Sequence, residues 1–556
     1  MTISMKKYLL FIALFPTLNV LFAQPQMVDL IVHHARIYTV NDRFDMAEAF
    51  AVKDNRIVEI GQNATILRKF TSKNTLNVRG KTILPGLIDA HAHFYYYGST
   101  LQTVNLVGTK SWDDIIAKCQ AFEREKGQNT EGGKNWLVGR GWDQNDWNIK
   151  EFPNKEKLDK LFPSRPVMLT RVDGHAIIVN QFALDLARIK AGQTLIGGEI
   201  GVKNGQLTGV LIDNAMHLIH DIMPEPTLEQ RRKALLDAQK NCFAVGLTTI
   251  DDCGLDFDMV DIIEKMNADK TLKMRLYVML SDDEKNYTYL FKRGIIKTPY
   301  LNVRSFKFYA DGALGSRGAC LLHAYNDRPN HVGFLLKDEK YYISAMTRIA
   351  EHAGMQACTH AIGDSANRKI LTIYDKILRG SNDRRWRIEH AQVVDSEDFM
   401  YFKKSSIIPS VQPTHATSDM YWAVDRLGSE REKGAYAYKK LLTQNGWLPL
   451  GTDFPVEDIN PILTFYAAVV RKDAKGFPKN GYQMENALSR EEALRGMTIW
   501  AAKANFEEPE KGSLEVGKLA DFIILNQDIM KINMPKIVKT NILATFLGGE
   551  KVFGNL

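Results

Sequence analysis

Short apolar runs alternate with amphipathic, helix-like segments through the middle of the chain. The runs are bounded by polar or turn-forming residues, which is typical of buried strands in a parallel sheet. Eight of them are predicted strands: 82–89, 246–251, 274–280, 303–310, 356–361, 386–390, 407–411 and 448–451. Eight strands that alternate with helices predict an α/β fold of the (β/α)8 TIM-barrel type.

The two ends of the chain have a different pattern. Residues 24–84 and 506–556 contain short β-rich stretches punctuated by turn residues. We expect these two parts to form one small β-sandwich domain, and residues 85–505 to form the barrel. The first two barrel strands are too far apart for one connecting helix, so residues from about 102 to 241 are predicted to form an inserted lobe.

Residues 1–23 have the pattern of a cleaved secretory signal peptide. They combine two lysines, an apolar stretch and a small residue at Ala23. We therefore expect an exported protein, either periplasmic or secreted. The alternative is an N-terminal membrane anchor, which is disfavoured because the apolar stretch is short and is broken by Pro16 and Asn19. No later apolar run is long enough to span a bilayer.

Composition narrows the function classes. The chain has 556 residues, of which 72 are Lys or Arg and 65 are Asp or Glu, giving a formal net charge of +7. Basic and acidic residues are interspersed, whereas nucleic-acid-binding proteins concentrate positive charge in a patch, so no nucleic-acid partner is predicted. The five cysteines are widely spaced and form no CxxC pair, so they are predicted to be buried free thiols.

Polar side chains follow the ends of the predicted strands. His91 and His93 come just after the first strand, two residues apart, so both imidazoles are expected to face the same side. Four further residues accompany later strands: Lys307, His360, His390 and Asp453. In a TIM barrel the carboxyl ends of all strands meet at one face, so these six side chains are expected to converge. Imidazole and carboxylate groups in one place predict a metal site.

Each of these residues also has an ordinary structural explanation. A single histidine on an apolar strand is often a satisfied core residue, and Asp453 has the sequence context of a helix N-cap. Lys307 lies among aromatic residues, where a charged ammonium is costly unless it is paired, chemically modified or able to reach solvent. The joint placement of all six at one end of the barrel favours the metal site.

The motifs PGLIDAHAHF, KFYADGALGSR, THAIGD, RIEHAQ, VQPTH and GTDFPV occur in this order and are followed by GSLEVGKLADFIIL. This series resembles the amidohydrolase superfamily and, within it, the YtcJ-like, type-3 amidohydrolases. The resemblance covers nearly all of the chain after the predicted signal. It therefore adds expectations about cofactors and activity to the prediction made from the residues.

The resemblance implies a centre of one or two divalent metal ions, with zinc as the expected metal. His91, His93 and Asp453 would bind the more buried ion, and His360 and His390 would bind the more exposed one. Lys307 would be carboxylated by carbon dioxide, and the resulting anion would bridge the two ions. The sequence leaves the number of ions open.

The expected activity is hydrolysis of a C–N bond other than a peptide bond by metal-activated hydroxide. Asp453 would act first as general base and then as general acid. The expected small-molecule substrate is an N-acyl amide, an N-formyl amide or an N-acyl amino acid. One alternative is an aminohydrolase that deaminates a cyclic substrate, although the lysine motif favours the amidase. Another is a catalytically silent binding or regulatory barrel, although all six ligand positions are retained.

Six further residues are candidate substrate contacts: Arg140, Trp142, Asp173, His175, Arg317 and His415. The first four lie in the predicted lobe in polar and aromatic surroundings. Arg317 lies in a glycine-rich loop, and His415 follows the seventh strand at the active end. Ordinary turn or core roles remain open for each of them, and the oligomeric state, including a homo-oligomer, is also left open.

Overall fold

A computed structural model describes residues 24–126 and 136–555. The predicted signal peptide, residues 1–23, lies outside the described residues. None of the helices in the described ranges is long and apolar enough to span a membrane. All five cysteines lie in these ranges as free thiols, as predicted, and four of them are buried, whereas Cys320 is half-buried.

The described chain begins with short strands and one helix. They are β1 (Gln26–Met27), β2 (Leu30–His33), β3 (Arg36–Tyr38), β4 (Met46–Ala47), β5 (Ala49–Lys53), β6 (Arg56–Gly61), α1 (Asn63–Lys69), β7 (Phe70–Thr71), β8 (Thr75–Asn77) and β9 (Thr82–Pro85). Strands β6, β5, β2 and β8 form a four-stranded sheet in that order, and β1 pairs with β7.

The next part of the chain contains the first barrel strand and then a large insertion. The elements are β10 (Leu87–Ala92), α2 (Phe94–Thr100), β11 (Val104–Asn105), α3 (Trp112–Lys126), β12 (Leu137–Trp142), α4 (Glu156–Leu161), β13 (Val167–Arg171), β14 (Ala176–Val179), α5 (Gln181–Leu186), β15 (Gly198–Lys203), β16 (Gln206–Asp213) and α6 (His217–His220), with 3-10 turns at Gln144–Asp146 and Asn214–Met216. Strands β11 to β16 form a separate six-stranded sheet with its own buried apolar clusters. The insertion, called the lobe below, therefore packs around cores distinct from that of the barrel.

The remaining barrel strands are β17 (Leu247–Leu255), β18 (Arg275–Ser281), β20 (Leu301–Tyr309), β21 (Gln356–Ala361), β22 (Arg387–His390) and β23 (Ile408–Ser410), with β19 (Ile296–Lys297) added at the start of β20. Parallel pairing runs in the order β10, β17, β18, β20, β21, β22, β23. Seven parallel strands in a nearly closed array support a fold of the TIM-barrel type, as the sequence predicts.

The predicted eighth strand, 448–451, is not a regular strand, and this corrects the prediction. Its extended backbone nevertheless closes the barrel by hydrogen bonds to both neighbours. Gly451 N donates to Val411 O (3.0 Å), and Ala90 N donates to Leu450 O (3.2 Å). The segment passes so close to the first strand that a Cβ at Gly451 would lie 2.5 Å from His91 N, so only glycine fits there.

The predicted first strand, 82–89, is divided into two in the structure. Its first half is β9, which belongs to an outer sheet, and its second half begins β10 of the barrel. Gly86 lies between them with its Cα packed against Thr248, where a Cβ would overlap the threonine side chain. The apolar run is continuous because both halves are buried, so hydrophobicity alone does not reveal the change of sheet.

The described barrel part of the chain also contains helices. They are α7 (Leu228–Ala244), α8 (Phe257–Ala268), α9 (Glu284–Arg293), α10 (Glu339–Ala350), α11 (Asp364–Leu378), α12 (Met400–Lys404), α13 (Pro413–Asp419), α14 (Ala423–Glu432), α15 (Tyr438–Asn445), α16 (Pro461–Val470), α17 (Arg490–Gly496) and α18 (Ile499–Ala504), with a 3-10 turn at Met484–Asn486. Capping boxes begin α7 at Thr227 and α17 at Ser489, where each side chain accepts a hydrogen bond from a first-turn N–H.

The chain ends in β24 (Phe522–Leu525), a 3-10 helix at Met534–Lys539, β25 (Ile542–Leu547) and β26 (Glu550–Gly554). These strands join strands from the beginning of the chain in a six-stranded sheet of order β26, β25, β24, β9, β3, β4. Residues of this sheet and of the four-stranded sheet share one buried cluster, in which the rings of Phe50 and Phe522 lie 5.1 Å apart. The exact domain boundaries at 84 and 505 remain predictions.

A buried ion pair joins the outer sheet to the barrel. Arg275 at the start of β18 donates from Nε and Nη2 to the two carboxylate oxygens of Asp521, at 2.7 and 2.9 Å. Both side chains are almost fully buried. The same carboxylate accepts a hydrogen bond from Gly548 N (2.7 Å), so one side chain connects three segments.

Asp521→Asn is therefore expected to lower the free energy of unfolding by about 3 kcal/mol, because it leaves the Arg275 cation buried without its anion. Chemical denaturation followed by tryptophan fluorescence measures the change. The matched control is Glu550→Gln, which removes an exposed ion pair between the same two parts, Lys273 to Glu550, and should change the value by less than about 0.5 kcal/mol. Equal stability of the two variants would contradict the assigned role of the Arg275–Asp521 pair.

Candidate active site

The carboxyl ends of the barrel strands surround a cavity of about 220 Å³ beneath the lobe. Five of the six predicted metal ligands line it: His93, Lys307, His360, His390 and Asp453. The sixth, His91, is fully buried just below, with its Nε2 3.6 Å from Asp453 Oδ1. Six residues from five separate places in the sequence are thus brought together, as the convergence of the strand ends predicts.

The first strand directs two imidazoles at one carboxylate. His93 Nε2 lies 3.2 Å from Asp453 Oδ1, the same oxygen that His91 approaches. Asp453 does not lie on a regular strand, and its φ of +64° is in the left-handed region. Its N–H donates to His91 O (2.7 Å), and this hydrogen bond holds the carboxylate beside the two rings. Potential ligand atoms of these three residues all lie within 4.8 Å of one another.

A second group of donor atoms lies on the other side of Asp453. Ligand atoms of His390, His415 and Asp453 also fall within 4.8 Å of one another. The ring of His360 is 4.6 Å from that of His390. Its Nε2 is buried and has no hydrogen-bond partner within the described structure. By this measure His415, which was not predicted as a ligand, belongs to a group of potential ligand atoms in the described structure, whereas the predicted ligand His360 does not.

Lys307 extends from β20 into the middle of these groups. Its Nζ lies 3.3 Å from His91 Nε2 and 4.9 Å from the centroid of the Tyr309 ring. The side chain is almost completely buried. No carboxylate of the described residues forms an ion pair with it, although an isolated buried ammonium is unfavourable. Conversion of this amine to an anion would remove that cost.

Buried neighbours fix the orientation of two of the imidazoles. His91 Nδ1 lies 2.5 Å from Glu389 Oε2, and Arg387 Nε lies 2.7 Å from the other oxygen of Glu389. Arg387 also pairs with Asp251 (2.9 Å), and all four side chains are fully buried. His390 Nδ1 is bound instead by the neutral amide oxygen of Gln412 (2.7 Å). In both cases Nδ1 is occupied and Nε2 is left for another partner.

The donor set fits a divalent metal ion. Burial and the nearby Lys307 lower the pKa of His91 to about 4, and burial lowers the pKa values of His360 and His390 well below their usual range. Neutral imidazole is the form that binds metal. Asp453 Oδ1, like His360 Nε2, is buried without a hydrogen bond in the described structure. Unpaired nitrogen and oxygen donors around one point are what such an ion requires.

His415 connects Asp453 to a second carboxylate. Its Nε2 lies 3.2 Å from Asp453 Oδ2, and its Nδ1 lies 2.9 Å from Glu457 Oε1. Burial lowers the pKa of His415, but the hydrogen bonds to Asp453 and Glu457 outweigh it and raise the pKa well above its usual value. Burial likewise raises the pKa of Asp453, but the hydrogen bond from His415 and the nearby imidazole of His93, 3.2 Å from Oδ1, reverse this and hold the pKa well below normal.

The lobe contributes a second imidazole and carboxylate pair. His175 Nδ1 lies 2.6 Å from Asp213 Oδ1, and its ring is 5.0 Å from that of His360. The Asp213 carboxylate occupies the space over Gly312 and Gly318, where a Cβ would overlap it. The glycine-rich loop after β20 is therefore required by the fit between lobe and barrel.

Three of the six candidate substrate contacts line the cavity, and three do not. The lining residues are Asp173, His175 and His415. Arg140 is instead bound to two backbone carbonyls, Pro455 O and Val172 O, both at 2.6 Å. Trp142 lies fully buried in the core of the lobe with its Nε1 donating to Leu169 O (2.8 Å). Arg317 is paired with Asp327 outside the cavity lining.

Several polar residues of the site were not predicted. Asp311 accepts hydrogen bonds from three backbone N–H groups, of Cys320, Ile362 and Gly363, and burial raises its pKa to about 7. Glu389, Gln412, Glu457 and Arg171 were also missed. Charged residues at alternate positions in the buried run RIEH gave a usable signal for Glu389, whereas nothing local in the sequence indicates the partners of Gln412 or Glu457.

Comparison with known proteins identifies similar sequences over almost the whole chain. The profile of the Amidohydrolase family matches residues 74–553. The Arabidopsis thaliana protein LONG AFTER FAR-RED 3 is 34% identical over 95% of this chain and 92% of its own length. The Bacillus subtilis protein YtcJ is 31% identical over 94% and 99%. The N-substituted formamide deformylase of Arthrobacter pascens is 25% identical over 94% and 98%.

Solved structures show the same similarity. A metal-dependent hydrolase from Pyrococcus furiosus, described as uncharacterized, is 26% identical with a TM-score of 0.71. The match covers 90% of this chain and all of the other. The similarity thus extends beyond the barrel to the lobe and the terminal sheets.

Glu389→Gln is expected to weaken metal binding by about 10- to 100-fold, because the amide no longer stabilises the Nδ1–H of His91 as an anion does. Competition with a chelator, followed by metal analysis of the protein, measures the affinity. Glu397→Gln makes the same chemical change on the surface and should leave the affinity unchanged. Wild-type affinity in folded Glu389→Gln would show that this carboxylate does not orient the ligand.

Proposed function

The chain belongs to the Amidohydrolase family, and from this premise we propose that it hydrolyses the C–N bond of a small amide. The main observation in support of this proposal is that six side chains converge around one cavity: His91, His93, Lys307, His360, His390 and Asp453. The family and its metal-dependent neighbour support a hydrolase that uses a divalent metal. The proposal adds the bond type, the metal and the role of each residue.

His91, His93 and Asp453 would hold one metal ion, and His360 and His390 a second, with zinc as the proposed metal. Lys307, carboxylated by carbon dioxide, would lie between them as an anion. This modification is supported by the burial of Lys307 and by its lack of an ion-pair partner among the described residues. When bound, such a metal would supply Lewis acidity, which polarises a carbonyl group and acidifies water.

Asp453 is the proposed proton carrier. Its Oδ2 is held by His415 Nε2, which leaves Oδ1 without a hydrogen bond and facing the two imidazoles of the first strand. The low pKa keeps the carboxylate ionised at neutral pH, so Oδ1 is able to accept a proton from the attacking water. The same group then returns the proton to the leaving nitrogen, which departs as an amine.

Two features support an amide of modest size. The cavity of about 220 Å³ is small, and the lobe covers it, so most of the substrate would be removed from bulk water. A relative whose name describes an N-substituted formamide deformylase supports an N-formyl or N-acyl amide over a cyclic substrate.

We further propose that the chain is exported and that residues 1–23 are removed as a signal peptide.

Replacing Asp453 by Asn is expected to lower kcat by about 10²- to 10⁴-fold on an N-formyl or N-acyl amide, because the proton acceptor is lost. Amine release measures turnover, and elemental analysis measures bound metal. The matched control is Asp458→Asn, on the exposed part of the same loop, with activity expected to stay at the wild-type level. Purified wild-type protein without a transition metal, or full activity in Asp453→Asn, would refute the mechanism.

A further inference from the structure

The upper wall of the cavity has an excess of negative charge. Five carboxylates line it in addition to Asp453: Asp143, Asp146, Asp173, Asp419 and Glu457. The first three come from the lobe, Asp419 ends helix α13, and Glu457 lies in the loop after the eighth barrel segment. Apart from Lys307 at the floor, the lining includes one lysine or arginine side chain among the described residues, Arg171. The other group here that can carry positive charge is His415, which lies between two carboxylates.

Both of these cations are already bound by carboxylates. Arg171 is almost fully buried and forms ion pairs with Asp143 and Asp173, and its Nε donates to Gln144 Oε1 (2.9 Å). His415 is shared between Asp453 and Glu457. A substrate carboxylate would have to displace one of these partners, and it would then face the remaining anions.

The two arginines among the candidate substrate contacts are engaged elsewhere. Arg140 is bound to the backbone carbonyls of Pro455 and Val172, and Arg317 is paired with Asp327. Neither lines the cavity. Apart from Lys307 at the floor, which we propose is carboxylated, the described residues that line the cavity therefore offer no free cation with which to recognise an N-acyl amino acid.

Asp419 is a wall carboxylate that has neutral hydrogen-bond partners. Its Oδ2 accepts a hydrogen bond from Tyr436 Oη (2.8 Å) and a longer one from Gln392 Nε2 (3.3 Å), both from neutral groups. Burial raises its pKa to about 7; His415 lowers the pKa, whereas Glu457 and Asp143 raise it. A positively charged group placed here would relieve the repulsion among these three carboxylates.

Resting on the proposed hydrolysis of an amide, we propose the substrate class: an amide that carries an ammonium group at the end remote from its carbonyl. The carbonyl lies at the floor beside Asp453, and the distal ammonium lies against the carboxylates of the upper wall. Trp422, Leu314 and Val456 also line the cavity and contact the apolar part of the chain between these ends. An uncharged distal group is accepted less well, and a distal carboxylate is rejected.

Three N-acetyl amides of equal length test this order: N-acetylcadaverine, N-hexylacetamide and 6-acetamidohexanoate. They place an ammonium, a methyl group and a carboxylate, respectively, after the same five methylenes. The corresponding N-formyl series covers the smaller acyl group. For the metal-loaded wild-type protein we expect kcat/KM to fall in that order, with at least a tenfold difference between the ammonium and the carboxylate, and the difference should shrink as salt is added.

Two variants link the preference to the named carboxylates. Asp419→Asn is expected to reduce the ratio of ammonium to carboxylate kcat/KM several-fold. Asp146→Asn changes a largely exposed side chain, so it should fold normally and reduce the same ratio by a smaller factor. The control is Asp237→Asn on the outer face of α7, which removes an equal charge away from the cavity and should leave the ratio unchanged.

Binding of the same amides, measured by calorimetry on the wild-type protein, separates this inference from the proposed function. Turnover with equal or reversed charge preference would overturn the substrate class and leave the hydrolase intact. Absence of turnover for all six amides would count against the proposed function, and the order of their affinities would then decide the charge preference alone. If none of them binds, the substrate class is wrong as well.

Discussion

A backbone hydrogen bond next to the closure of the barrel also positions the candidate active site. Asp453 N donates to His91 O (2.7 Å), tying the segment in the eighth position of the barrel to the first strand. This segment is not a regular strand, yet it is bound to neighbours on both sides. Because this hydrogen bond joins the backbones of two predicted metal ligands, the position of the Asp453 carboxylate depends on the closure of the barrel.

Closure brings charge into a region that water cannot reach, and the neighbouring side chains compensate for it. Arg387 and Glu389 are fully buried, and together with Asp251 they form a chain of ion pairs that ends at His91. Removing one member of such a chain would leave an unpaired charge in a medium of low dielectric constant. Lys307 is the exception, because no described carboxylate pairs with it, and this lack of a partner supports its proposed carboxylation.

The lobe supplies part of the wall of the cavity at the end of the barrel. It adds the His175–Asp213 pair beside His360, and it adds Arg171 with its two carboxylates at the upper wall. The fit depends on glycines of the barrel loop, since Gly312 and Gly318 leave room for the carboxylate of Asp213. The ligands are supplied by barrel strands and loops, whereas much of the charge that a substrate meets is supplied by the insertion.

The sequence by itself predicted the barrel, the lobe and the convergence of six candidate ligands, because strand ends in this fold meet at one face. It did not reveal that residues 82–89 divide between two sheets, since burial on both sides gives one continuous apolar run. It also proposed Arg140, Trp142 and Arg317 as substrate contacts. In the tertiary structure Arg140 is bound to backbone carbonyls, Trp142 is packed in the core of the lobe, and Arg317 is paired with Asp327. The partners of His415, His390 and Asp419 come from distant segments, and contacts of that kind leave no periodic signal along the chain.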